Sequence, residues 1–142
     1  MKSVKQIVEA KGDDIWFIQP DDTVFNAIKL MAEKEIGAIL VMKEGKLVGI
    51  LSERDYARKV ILKGKSSEQT PVKDIMTSNV LCASPEQTVE ECMALMTDKR
   101  IRHLPVMDGE RVKGMISIGD LVKDIIAEQK FVIEQLGHYI RG

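Results

Sequence analysis

The chain has 142 residues, 44% of them hydrophobic and 30% charged, with a formal net charge of −1. These values describe an ordinary soluble folded unit with a sizeable core. They exclude a strong field towards nucleic acid or anionic lipid, and no run approaches the roughly 18 consecutive apolar residues of a membrane span.

The opening residues, Met1 to Ile7, have no apolar core or cleavage site, so no signal peptide is expected. Cys82 and Cys92 are the only cysteines and lack metal-ligand spacing, which points to reduced, buried thiols and a cytoplasmic setting. Residues 4–10 read as a short helix stopped at Lys11-Gly12, and Ile15-Trp16-Phe17-Ile18 as a short strand. Pro20-Asp21-Asp22-Thr23 opens a helix whose apolar positions Val24, Ala27, Ile28 and Met31 share one face. Strands Ile39–Met42 and Leu47–Leu51 then form a hairpin about Glu44-Gly45, and a helix runs from Asp55 to about Lys63. Gly64 to Pro71 is polar and carries glycine and proline, the composition of a linker, before a short turn or helix from Val72 to Met76.

The same order then returns. Val80–Ala83 is a strand, Thr88–Lys99 a helix, Leu104–Met107 with Val112–Ser117 a hairpin, and a helix begins near Asp120. The match is literal and gapless at an offset of 65 residues, which carries Gly49 to Gly114, Pro20 to Pro85, Thr23-Val24 to Thr88-Val89 and Asp55 to Asp120. A sustained self-match of this kind marks a duplicated structural unit. The fold class is therefore α/β (α+β), with two pseudo-symmetric β-α-β-β-α repeats packed as one module. The expected boundaries are 1–64 for an N-terminal segment and repeat one, 65–79 for a linker, 80–127 for repeat two and 128–142 for a C-terminal helical extension.

Each repeat ends on Gly-x-x-Ser-x-x-Asp, first at Gly49, Ser52 and Asp55, then at Gly114, Ser117 and Asp120. A strand delivers the serine and a helix leaves from it, so backbone N–H groups without intrahelical partners collect there. Two readings apply. Serine and aspartate at this spacing can cap the helix, each satisfying a backbone donor. Alternatively, the carboxylate can accept both hydroxyls of a ribose while the hydroxyl and the N–H groups meet sugar or phosphate. Both roles can hold at once. Arg54 is poorly placed for the helix dipole, which fits an anion to be met and equally fits an exposed arginine on a solvated face.

The repeat order, the duplicated Gly-x-x-Ser-x-x-Asp, the Leu104-Pro105-Val106 strand and Val72-x-x-Ile75-Met76-Thr77 resemble the cystathionine β-synthase (CBS) domain pair, over nearly all of residues 5–127. The likeness is to the small stand-alone bacterial members, with no enzyme or transporter attached. It implies a regulatory module that binds an adenosine compound such as AMP, ADP, ATP, NAD or S-adenosylmethionine between its repeats, and that often forms flat dimers. It also implies a site set. Ser52, Glu53, Arg54 and Asp55 would meet Ser84, Arg102 and His103 in one cleft. Ser117, Ile118 and Asp120 would meet Gln19, Gly37 and Ala38 in the other, which has no evident cation and is the poorer phosphate site.

The last helix is longer than its counterpart and sets Val122, Ile125, Ile126, Gln129, Ile133, Leu136 and Ile140 on one side. That stripe fits a homodimer contact, or packing back on the first helix. A ligand-independent interaction module of the same fold, serving an unidentified protein target, is the alternative function. An enzyme is not expected. The sequence has no nucleophile–base pair, paired carboxylates or metal cluster, and the adenosine nucleotide would be a regulatory ligand rather than a catalytic cofactor.

Overall fold

The computed structural model describes residues 2–12 and 14–141. Met1 and Gly142, the ends of the expected 1–64 and 128–142 segments, lie outside the described residues, as does Asp13. The first half of the chain forms helix α1 (Val4–Lys11), strand β1 (Phe17–Ile18), helix α2 (Val24–Lys34), strands β2 (Ala38–Lys43) and β3 (Lys46–Ser52), and helix α3 (Glu53–Tyr56). A π-helical turn, Ala57–Ile61, and a 3-10 turn, Val72–Asp74, follow. The second half forms helix α4 (Val89–Lys99), strands β4 (His103–Asp108) and β5 (Arg111–Ser117), and helix α5 (Ile118–Arg141).

Local chemistry sets these boundaries. Ser3 caps α1 in a reciprocal box with Gln6, and Thr88 caps α4 in one with Glu91. Thr23 caps α2 by accepting the Asn26 N–H at 3.1 Å. Helices α2 and α4 end alike, with Glu35 and Arg100 in the left-handed region and Ile36 and Ile101 donating back to Met31 and Met96. The β2–β3 hairpin turns through Glu44 and Gly45, both at positive φ, as a two-residue turn between twisted strands requires. Both hairpins carry a register shift at matching positions, Val41/Met42 and Val106/Met107.

Two of the expected elements are corrected. In the first repeat β1 lies parallel to β2, completing a three-stranded sheet. The strand expected over Val80–Ala83 is reduced to one bridge, Ala83 to Val106. Ala83 donates to the Pro105 carbonyl and accepts from the Met107 N–H, both at 2.8 Å. Pro105, which replaces Leu40 of the first repeat, has no N–H with which to extend the ladder. The helix expected to start at Asp55 begins at Glu53, because Ser52 is its cap and Asp55 its third residue.

The chain forms two compact bodies, Ile15–Leu81 and Met1–Asp14 with Cys82–Gly142. The core of the first contains Val24, Ala27, Met31, Ile39, Val41 and Leu51; that of the second contains Val89, Cys92, Met96, Leu104, Val106 and Ile116, each at the same 65-residue offset. Each core is completed by the segment that precedes the other repeat. Val72 and Ile75 enter the first core, and Val4 and Ile7 enter the second. The hydrogen bonds are duplicated too. Val72 donates to the Asp22 carbonyl and Lys73 to that of Pro20, as Val4 does to Gln87 and Lys5 to Pro85. Residues 2–11, which precede repeat one in sequence, therefore pack with repeat two, and residues 65–77 pack with repeat one.

The motif glycines serve this packing. A Cβ on Gly49 would stand 2.5 Å from the Met76 Sδ and 3.0 Å from the Thr77 carbonyl; one on Gly114 would stand 3.1 Å from Val8 Cγ1. The lead segments lie directly on β3 and β5 at these positions.

Cys92 is buried and Cys82 half-buried, neither is in a disulfide, and burial pushes both thiols up. Among the described residues no helix is long and apolar enough to cross a membrane. Helix α5 runs 24 residues, and among the described residues its buried anchors, Leu121 and Asp124, fall in the first two turns. Beyond them Ile126, Phe131, Ile133, Leu136 and Ile140 are exposed, so this stripe does not pack back on α1.

Candidate functional site

The strand-to-helix junction of the first repeat is internally satisfied. The Asp55 Oδ2 accepts from the Ser52 N–H and the Ser52 hydroxyl, each at 3.0 Å, and the Asp55 N–H donates to Ser52 Oγ at 3.1 Å. The Glu53 N–H donates to the Gly37 carbonyl at 3.0 Å. The other carboxylate oxygen, Oδ1, lies 3.2 Å from Lys59 Nζ, which also donates to the Ile75 carbonyl at 3.0 Å. The capping role therefore holds, and the N–H groups of Ser52, Glu53 and Asp55, expected to be open to a ligand, are occupied. Asp55 nevertheless keeps part of its surface in solvent, with a side chain 16% exposed.

The second junction repeats the cap with a different counter-ion. The Ser117 N–H donates to Asp120 Oδ2 at 2.8 Å, the Asp120 N–H to Ser117 Oγ at 3.2 Å, and the Ile118 N–H to the Arg102 carbonyl at 2.8 Å. Here the cation is Lys11, from the last turn of α1. Its Nζ stands 2.8 Å from both Asp120 Oδ2 and the Met115 carbonyl. Burial is the largest influence on the Asp120 carboxyl and pushes it up. The Lys11 hydrogen bond, the Ser117 contacts and the Lys11 charge outweigh it and hold the group below its ordinary value.

His103 opens β4 directly across from Ser117. Burial first, and then the Lys11 charge, push its imidazole below its ordinary value; Asp120 pulls the other way and Arg102 adds to the depression. The expectation that Asp120 has no cation beside it is thus corrected. Lys11 stands 109 positions away in sequence and belongs to the exchanged lead segment, so no local motif announces it. Lys59 was equally unflagged, although its i, i+4 spacing from Asp55 is a signal that could have found it.

Within each body the remaining candidates fall at opposite ends of the strands. Gly37 and Ala38 stand at the junction end of the first sheet, with Ala38 in register with Ser52. Gln19 follows β1 at the far end, roughly 13 Å of strand away. Ser84 likewise follows the Ala83 bridge, at the far end of β4 from His103, and its N–H donates to Gln87 Oε1 at 2.8 Å. Glu53 and Arg54 are exposed on the first turn of α3, Arg102 is exposed before β4, and Ile118 packs against the second core. No group of three or more His, Cys, Asp or Glu side chains among the described residues could hold a metal ion.

The comparisons agree with this architecture. The family model of the CBS domain matches twice, over residues 4–62 and 72–127. The mitochondrial CBS domain-containing protein CBSX3 of Arabidopsis thaliana is 41% identical over 149 aligned positions, spanning 99% of this chain and 72% of that protein. A solved CBS-domain protein from Burkholderia ambifaria is 53% identical with a TM-score of 0.87, covering 90% of this chain and 96% of its own. A solved CBS domain pair in complex with 5′-methylthioadenosine and S-adenosyl-L-methionine is 25% identical with a TM-score of 0.80, covering 90% and 98%.

Proposed function

The chain belongs to the CBS domain family and carries the domain twice, and on that premise we propose that it is a regulatory sensor of an adenosine nucleotide of the AMP, ADP, ATP or NAD type. The observation that carries this reading is the duplicated junction. Each repeat presents a part-exposed aspartate, held rigidly by its own helix cap and neutralised by one lysine. Such a carboxylate can exchange its lysine for the paired hydroxyls of a ribose, while the released cation meets phosphate. The related pair that holds two adenosine compounds supports the same ligand class. Ser52, Glu53, Arg54 and Asp55 form one part of the binding set, and Ser117, Ile118 and Asp120 the other. Gly37 and Ala38 flank the first junction and Arg102 and His103 the second, with Gln19 and Ser84 proposed as contacts at the far strand ends. The module regulates rather than catalyses, and two reduced thiols suit the cytoplasm.

A second copy is the partner that suits α5. Val122, Ile126, Gln129, Ile133, Leu136 and Ile140 recur at alternating spacings of four and three, and the apolar ones are exposed. Isoleucines at alternate seam positions with Leu136 between them fit a coiled-coil homodimer. The same stripe is what favours the alternative reading, a ligand-independent interaction module.

Thermal melting tests the ligand. A compound present at a hundred times its Kd adds about 2.7 kcal/mol, so at least one of AMP, ADP, ATP and NAD should raise Tm by roughly 5–15 °C. A melting curve unmoved by all four at millimolar concentration would leave the interaction module standing instead.

A further inference from the structure

The junction of the second repeat carries more positive charge than its motif implies. Asp120 is the one carboxylate among the groups bearing on His103; the others are Lys11 and Arg102, both cationic. Lys11 itself is spent on a contact that ligand binding must disturb, because it shares Asp120 Oδ2 with the Ser117 N–H at 2.8 Å. Its side chain is 45% exposed, so the ammonium can swing outward without unfolding α1. The sequence offset that carries Val4 to Val72 and Ile7 to Ile75 aligns Lys11 with Asn79, which is not a cation. At Asp55 the counter-ion is Lys59, from the π-helical turn that follows α3.

We propose that Lys11 is the specificity-determining residue of the Asp120 junction, leaving the carboxylate for the ligand's phosphate and so making this a site for an anionic nucleoside phosphate. The inference rests on the adenosine-nucleotide reading above and goes beyond it in assigning the discrimination to one residue of the N-terminal helix. With a ribose on Asp120, a neutral nucleoside costs Lys11 its carboxylate partner and offers no other anion in return. A nucleoside phosphate gives it a new anionic partner through a charge-assisted hydrogen bond. Lys11 thus penalises the nucleoside and rewards the nucleotide.

The test reads AMP and adenosine affinities separately from the amide shifts of Ser117 and Asp120, in wild type, Lys11→Met and Lys11→Arg. Lys11→Met should weaken AMP about tenfold or more, the scale of one charge-assisted bond. Adenosine should hold within about threefold or tighten, since its competitor for Asp120 is gone. Lys11→Arg should keep most of the AMP preference. A merely structural latch between α1 and β5 would weaken both ligands alike, and that outcome, or an unchanged AMP preference in Lys11→Met, overturns the proposal. Wild-type protein in which adenosine, AMP, ADP, ATP and NAD all fail to shift either junction overturns the adenosine reading itself, a separate and distinguishable failure.

Discussion

Asp55→Ala is expected to weaken AMP by roughly ten- to a hundredfold at the first junction, because two charge-assisted bonds to the ribose are lost at about 1.5–3 kcal/mol each with partial compensation. The substitution also removes a helix cap, since Asp55 Oδ2 accepts from both the N–H and the hydroxyl of Ser52. That part costs about 1 kcal/mol of stability and none of it is specific to the ligand. Asp55→Asn separates the two roles, because an amide oxygen can still cap but offers one acceptor instead of two and no charge. It should melt within a few degrees of wild type and still lose most of the AMP affinity. Asp120→Ala should leave the first junction within about threefold, as its carboxylate is bonded to Ser117 and Lys11 in the other body. Calorimetry on the three variants measures all of this. Equal losses for Asp55→Ala and Asp120→Ala at one site would reject the assignment.

The second large effect follows from the exchanged lead segments. Ile7 and Val4 are buried in the core of the second body, beside Val106 and Ile116. Truncating Ile7 to alanine should cost about 2–5 kcal/mol, the usual range for a buried aliphatic residue. Hydrogen exchange locates the loss. In Ile7→Ala, protection should fall most at Val106 and Ile116, which lie more than ninety positions away in sequence. Ile75→Ala should do the converse and strike Val41 and Leu51 of the first core. If Ile7→Ala instead loosened mainly β2 and β3, residues 2–11 would belong with the repeat they precede, and the exchange described above would be wrong.

The 65-residue echo made most of the fold legible. Periodicity and caps placed α2, α4 and both hairpins, and the family resemblance agreed with them. Where the two copies differ in one decisive atom, the echo misled. Pro105 removes a single N–H, and the strand expected at Val80–Ala83 shrinks to one bridge. The second offset, Val4-x-x-Ile7 against Val72-x-x-Ile75, was too short to stand out as a repeat, so the lead segments were read by their order in the chain. At the junctions the serine–aspartate pairs were legible as caps because capping is local chemistry. Lys11 was not, because its ion pair is made by tertiary packing across 109 positions. The packing role of the motif glycines was equally illegible, because Met76 and Val8, which lie against Gly49 and Gly114, reach them only through tertiary packing.

The most direct measurement is amide chemical-shift mapping of the full chain during titration with AMP, then with ADP, ATP and NAD. Saturable shifts should concentrate at Ser52 to Asp55, at Ser117 to Asp120, or at both, because these amides surround the carboxylates that exchange a lysine for a ribose. Saturable shifts confined to the exposed part of α5, or no saturable shift anywhere with AMP, ADP, ATP or NAD at millimolar concentration, would contradict the sensor reading.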